Sequence, residues 1–328
     1  GSEMCIRDRL SRGHVNIYMF EGGTNFGFMN GSNYYDELTP DVTSYDYDAV
    51  LTEDGRITEK YRRYREVIRR HAAVPEKMYA EEIKRKEYGS LKVSERVSLF
   101  EVLDQLSTPA ESAYPVSMER MGQNYGYILY RTRLDKEASL EKIRLWKAND
   151  RAHIFVNQKL EAIYYDRELL EEHALNTEFT QGADFDILVE NMGRVNFGPK
   201  MDEQRKGIDG CVQINGHMHH GWEIYTLPLE NTEKIDFSGA YAEGTPSFHK
   251  FELDIDETGD TFLELDGWGK GCVFVNDFNI GRFWEIGPQK RLYIPAPLLK
   301  QGRNKIVVFE TDGRVSDEIR LCGEPDLG

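Results

Sequence analysis

From Ser90 onward the chain is a succession of short apolar runs separated by polar turns. LKVSERVSLF, YGYILYRTRL, SLEKIRLW, AHIFVN, FDILVEN and WEIYTLPL form one block. FHKFELDI, TFLELDGW, CVFVND, RLYIP and KIVVFE form a second, from about residue 231 to the end. β-Branched and aromatic residues at this density, broken by turns at this spacing, predict antiparallel β-sandwiches. The blocks repeat. Ile154-Phe155-Val156-Asn157 matches Val273-Phe274-Val275-Asn276, an offset of 119 residues. Another apolar run follows 33 residues later in each block, at Ile187-Leu188-Val189 and at Ile306-Val307-Val308. An offset of that size is one β-domain length, not a solenoid period. It predicts the same strand order in both blocks.

The first ninety residues have a different texture. Val15-Asn16-Ile17-Tyr18-Met19-Phe20 is a short, mostly apolar run of good β-formers, suited to a strand covered on both faces. Gly22-Gly23 stops it, and a loop rich in Gly, Asn and aromatic residues follows. Tyr61, Tyr64, Val67, Ile68 and His71 then recur at helical spacing. Thr58 is the expected N-cap, Glu59 suits the first turn, and Pro75 marks the stop. Strand, loop, helix is one βα unit, and in a barrel of such units the loop lies on the catalytic face. A lone unit of this kind should be the weak part of the chain, because a strand without neighbours has two unpaired edges. Residues 76–89 are charged and irregular and read as a linker.

Composition narrows the function classes. The 328 residues are 30% charged and 40% hydrophobic, a globular balance. A formal charge of −16 disfavours nucleic acid, whose phosphates would be repelled. No apolar run reaches the length of a membrane span. Cys5, Cys211, Cys272 and Cys322 are scattered, without the close pairs of a zinc site or the density of a disulfide scaffold. They read as free thiols in a reducing compartment, which points to a bacterial cytoplasm. No metal or cofactor is expected, and a homo-oligomer is left open.

GGTNFGFMNG, followed by PDVTSYDYDA (40–49) and ITEKY (57–61), resembles glycoside hydrolase family 35, the β-galactosidases. The resemblance continues through GQNYGYILYRT (122–132), DILVENMGRVNFG (186–198) and GRFWEIGPQKRLYIP (281–295). It covers nearly all of residues 13–328. It implies a mainly β fold: two antiparallel β-sandwich domains of jelly-roll, galactose-binding-like character, preceded by the last βα unit of a truncated TIM barrel. The expected organisation is an extraneous leader at 1–12, a barrel remnant at 13–75, the linker, one sandwich at 90–230 and a second at 231–328. Segment 90–107 is placed to pair across into the other sandwich.

Retaining glycosidases use two carboxyl groups about 5–5.5 Å apart. The resemblance implies two glutamates on the fourth and seventh barrel strands, upstream of this sequence, so no catalytic residue is assigned within it. The implied partner is a galactoside or galactose-terminated glycan, with the chain as a C-terminal fragment that is inactive by itself. The alternative is a non-catalytic carbohydrate-binding or structural β-sandwich protein. Three residues are candidates for substrate binding. Phe28 stands where relatives carry an aromatic wall of the galactose pocket, and its other reading is loop packing. Asn25 could bond sugar hydroxyls or serve its turn. Glu21 ends the barrel strand, where barrels place functional groups. Asp46, Asp48 and Glu190 are read as structural. Trp146, Trp222, Trp268 and Trp284 are read as core, and the His217, His219 and His220 cluster as a solvated loop.

Overall fold

Several strands are buried at nearly every position rather than at every second one, and the layering explains why. The structure, a computed structural model, describes residues 2–77, 83–135, 139–202 and 204–328. Tyr127–Leu134, Arg151–Val156 and Ala183–Glu190 lie inside a six-stranded antiparallel sheet that also holds Lys159–Tyr165, Trp222–Leu227 and Ala110–Ser112. One face of this sheet presents Ile128, Tyr130, Ile154, Ile187 and Val189 to a core shared with a four-stranded sheet that contains Ser139–Leu145 and Glu172–Glu178. The other face presents Tyr127, Leu129, Phe155 and Leu188 to a second core. Alternation shows only where one side meets water, as in Glu172–Glu178.

That second core is shared with the other sandwich. Phe248, Cys272, Phe274, Val307 and Phe309 enter it from a five-stranded sheet, and the Tyr127 and Phe309 rings meet edge to face at 5.2 Å. The opposite face of the five-stranded sheet, with Phe251, Val273, Val275, Ile306 and Val308, packs on a four-stranded sheet carrying Thr261–Glu264 and Arg291–Ile294. The molecule is therefore four sheets deep, with a central core between its two sandwiches. Each large apolar side chain fully buried there contributes about 1.5–3 kcal/mol.

The two sandwiches share one strand order. Lys159–Tyr165, Arg151–Val156, Ala183–Glu190 and Tyr127–Leu134 are neighbours in the first. Phe278–Trp284, Lys270–Val275, Gly302–Glu310 and Ser247–Ile255 are neighbours in the second. The hairpin turns match as well. Asn157-Gln158 and Asn276-Asp277 all have positive φ, as a two-residue turn of the primed type requires. In each turn the Asn side-chain oxygen accepts a backbone N–H from the neighbouring strand, Asp184 at 3.1 Å and Lys305 at 3.0 Å. The register corrects the simple 119-residue offset. Ile154 pairs with Ile187, but Val273 pairs with Val308, 35 residues on rather than 33. A slip of two keeps every side chain on its own face, so the apolar pattern could not reveal it.

Segment 89–106 departs from the single strand expected there. Gly89–Lys92 and Glu95–Ser98 pair with Glu318–Cys322 and Ser247–Ile255 of the second sandwich. The segment thus pairs across into the second sandwich, as expected for 90–107. The chain then turns into a helix, Leu99–Leu106, whose Leu99, Val102, Leu103 and Leu106 fill the edge of the central core.

Val15–Phe20 is not a strand. It is irregular, with bends at Tyr18 and Phe20 and Tyr18 92% exposed, and no described strand pairs with it. Its end is tied where Val50 and Leu51 donate to the Phe20 carbonyl, the Phe20 ring meets Tyr61 edge to face at 6.1 Å, and Ile17 packs on the cluster around Tyr64. The helix does form, at Glu59–Arg69, with Thr58 Oγ1 accepting from the Tyr61 N–H. Its Tyr64 packs with Val50 and with Ile6 of a short helix, Ser2–Leu10, that lies in the segment read as a leader. Part of the expected linker, residues 78–82, lies outside the described residues. No helix among the described residues is long and apolar enough to cross a membrane.

Candidate functional site

The Gly-rich loop is shaped by residues 42–46 running beside it. The Asn25 N–H donates to the Thr43 carbonyl at 2.7 Å and the Tyr45 N–H to the Gly23 carbonyl at 2.9 Å. A Cβ on Gly22 would fall 1.9 Å from the Tyr45 carbonyl oxygen, so only glycine permits this approach. Asn25 uses its amide on the Val42 carbonyl at 3.1 Å, across to the neighbouring segment. Phe28 is 6% exposed, stacked on Tyr125 at 6.0 Å and edge-on to Tyr127 at 5.9 Å. Glu21 is exposed, and burial of part of its surroundings together with Asp46 and Asp54 raises its pKa. The structure therefore does not bring Phe28, Asn25 and Glu21 together at one surface.

Behind Glu21 sits a group of acids. Asp46 accepts the backbone N–H groups of Ala49 and Glu53, each at 3.2 Å. Asp48 pairs with Lys60 at 2.5 Å. Both act on the loop and its helix, as expected of structural aspartates. Asp54 is gripped by Arg85 through two bonds of 2.5 and 2.8 Å. Burial alone would raise its pKa, but Arg85 and Thr52 outweigh it and hold the carboxyl below its ordinary range. Glu53 has no such cation. It accepts from Thr24 Oγ1 at 2.7 Å, its other oxygen is buried without a hydrogen-bond partner, and burial pushes its pKa up to about 7.

The loop is locked to the second sandwich at several points. The Gly27 N–H donates to the Asn279 carbonyl at 2.9 Å, and the Ser44 N–H to Gln289 Oε1 at 2.8 Å. Thr43 Oγ1 donates to the Arg282 carbonyl and accepts the Arg282 N–H, at 2.7 and 3.0 Å. The Arg282 guanidinium lies over the Phe28 ring at 4.7 Å and donates to Asn30 Oδ1 at 2.8 Å. It also donates to Glu190 Oε1 and the Asn191 carbonyl, each at 2.6 Å. Residues 22–45 of the segment expected to be weak are therefore bonded to the second sandwich at Gly27, Asn30, Thr43 and Ser44.

Glu190, read from sequence as structural, is the centre of this anchor. It is fully buried and accepts from Lys270 Nζ at 2.7 Å as well as from Arg282. Burial would raise its pKa, but Lys270 and Arg282 outweigh it and keep the carboxylate charged. Arg151 and Asp312 form a second pair nearby, joined through two bonds of 2.8 and 2.9 Å. Nothing in the sequence paired Arg282 with a residue 92 positions away. The GRFW motif marked the arginine, but only the fold supplies its acceptors.

The remaining candidates resolve individually. Trp222 and Trp268 are core, Trp146 is exposed with Arg144 over its ring at 4.0 Å, and Trp284 is half-buried beside an open cleft. His217 is exposed, His219 lies 3.0 Å from Thr132 Oγ1, and His220 packs on Tyr114. The four cysteines are free thiols. No group of three His, Cys, Asp or Glu among the described residues could hold a metal ion.

Comparison with known proteins follows this architecture. Residues 3–71 match the model of glycosyl hydrolases family 35, 115–228 that of the β-galactosidase first all-beta domain, and 246–304 that of the β-galactosidase galactose-binding domain. Three successive parts of the chain thus match glycosyl hydrolases family 35 and two β-galactosidase domains. It is 39% identical to β-galactosidase 17 of Arabidopsis thaliana, over 92% of this chain and 49% of that protein. It is 38% identical to β-galactosidase-1-like protein 2 of Homo sapiens, over 96% and 50%. A β-galactosidase of Xanthomonas manihotis is 37% identical, over 87% and 48%. The chain spans about half the length of the curated relatives it matches.

Proposed function

We propose that the chain is the part of a retaining β-galactosidase that follows its two catalytic glutamates, and that it releases no galactose by itself. The supporting observation is the docking of the Gly22–Tyr45 segment on the second sandwich through Thr43, Asn30 and Arg282. A loop on the catalytic face of a barrel needs a fixed shape to wall a sugar, and the sandwiches hold it from behind. Substrate contact from this segment then falls to Glu21, whose carboxylate is exposed, while Asn25 and Phe28 set the loop's conformation. Hydrolysis needs an acid and a nucleophile facing each other across one anomeric carbon. The acids around Glu21 belong to one short segment, and two of them are committed to backbone N–H groups or to Arg85.

The test is an aryl β-galactoside assay of the purified chain beside the same chain extended upstream by a relative's barrel. The extended protein should turn over with retention of anomeric configuration, and the chain alone should not. Turnover by the chain within an order of magnitude of the extended protein, abolished by Asp46→Asn, would overturn the reading.

A further inference from the structure

The half-buried Trp284 faces a cleft that the galactosidase reading leaves unused. The cleft has a volume of about 300 Å³ and is walled by three parts of the molecule. Leu38, Pro40 and Asp41 come from the segment after the Gly-rich loop, Tyr165 and Met192 from the first sandwich, and Trp284 and Gln289 from the second. Its walls are held in place. The Trp284 and Tyr165 rings meet edge to face at 5.8 Å, and Gln289 accepts from the Ser44 N–H at 2.8 Å and donates to the Arg291 carbonyl at 2.8 Å.

Which ligand fits follows from the groups that remain free. Lys270 and Arg282 reach the cleft, but Lys270 is 1% exposed and bonded to Glu190, and all three Arg282 acceptors are protein atoms. Neither cation is available to an anion, and the carboxylates of Asp41 and Glu37 in the lining would repel one. Among the described residues, neither the Asp41 carboxylate nor the Trp284 indole N–H has a protein hydrogen-bond partner. Asp41 is half-buried, and burial raises its pKa. A purely apolar ligand would strand that carboxylate away from water. Asp41 and Glu37 have no third carboxylate, imidazole or thiol beside them among the described residues, too few ligands to hold a metal ion.

We propose that this cleft binds one neutral hexopyranose ring. The Trp284 ring system covers the apolar C–H side of the sugar, Asp41 accepts from its hydroxyl groups, and the indole N–H donates to one. A volume at the lower end of the range for ligand pockets, about 300–1,000 Å³, takes one ring and not a chain. The site rests on the galactosidase reading only for the choice of probe.

Isothermal titration of this chain with methyl β-D-galactopyranoside tests the site, with methyl β-D-glucopyranoside and D-galacturonate as comparisons. At least one neutral glycoside should bind saturably, with galacturonate weaker. Asp41→Ala and Trp284→Phe should each weaken that binding about tenfold, while Trp146→Phe leaves it unchanged. Asp41→Ala removes no protein hydrogen bond made by the side chain, so it decides the matter even where Trp284→Phe disturbs the fold. No saturable binding of either neutral glycoside, equal binding by the Asp41→Ala variant, or tighter binding of galacturonate would each overturn the site. Binding on this chain and hydrolysis by the extended protein are separate readouts, so one can fail while the other stands.

Discussion

The Arg282 guanidinium donates to Asn30, Glu190 and the Asn191 carbonyl and covers the Phe28 ring, so its removal leaves several partners stranded at once. Breaking a buried ion pair from one side typically costs about 3–5 kcal/mol. Arg282→Ala should lose that much in urea unfolding. Arg282→Lys should recover only part, because an ammonium keeps the charge but not the planar fork. A loss below about 1 kcal/mol for the alanine variant would show that water replaces the guanidinium. Glu53 gives a prediction with the opposite chemistry. Its pKa rises from 4.5 to about 7 on folding. The stability it contributes is full below the unfolded value and is lost as pH rises through the folded one. Across that window the loss is on the order of 3 kcal/mol, since each pKa unit is worth about 1.4 kcal/mol. Glu310, also raised to about 7, acts in the same direction. Glu53→Gln keeps the acceptor for Thr24 and should flatten the fall in melting temperature between pH 4.5 and 7 without abolishing it. A profile parallel to the unmodified protein would show that Glu53 is ionised at no cost.

At the scale of elements, the contrast lies between two neighbouring segments. Val15–Phe20 has good β-formers but no neighbour to pair with, whereas residues 22–45 have mediocre propensity and many partners. Limited proteolysis should therefore cut within about residues 11–20 and spare 22–45. Early cleavage inside 22–45 would show that the docking bonds to Arg282 and Gln289 open readily. The helix Glu59–Arg69 was legible because its signal is local: an N-cap, an acidic first turn and one apolar stripe. In segment 95–106 the pairing across was legible but the helix was not. Glu95–Ser98 pairs with Ser247–Ile255, and only that partner, about 150 residues away, decides where strand gives way to helix.

For the whole molecule, the central core joins the two sandwiches. Tyr127, Leu129 and Leu188 from one meet Phe274, Val307 and Phe309 from the other, with no water-facing layer between them. The two sandwiches should unfold together. Calorimetry should give a single transition whose calorimetric and van't Hoff enthalpies agree. Phe309→Ala, which opens a cavity in that shared core, should lower the transition as a whole, by about 3–5 kcal/mol. Two resolved transitions, with only one shifted by the substitution, would show that the sandwiches are thermodynamically independent.

The sequence by itself determined what depends on local chemistry and on repetition. Runs of Val, Ile and Phe bounded by turns specified the strands, and the matched Asn157 and Asn276 runs specified a repeated sandwich. Gly22-Gly23 and the motifs after it marked the loop and the family. Tertiary structure decided what depends on who lies opposite. It set the two-residue register slip, which a period-two pattern cannot record. It left Val15–Phe20 unpaired and turned Phe28 into the central core, because burial belongs to the partner as much as to the residue. It also joined Glu190 to Arg282 and Lys270, and opened the cleft beside Trp284 between three segments that are distant in the chain. Charge pairing and concavity are properties of positions in space, and residue types along a line do not carry them.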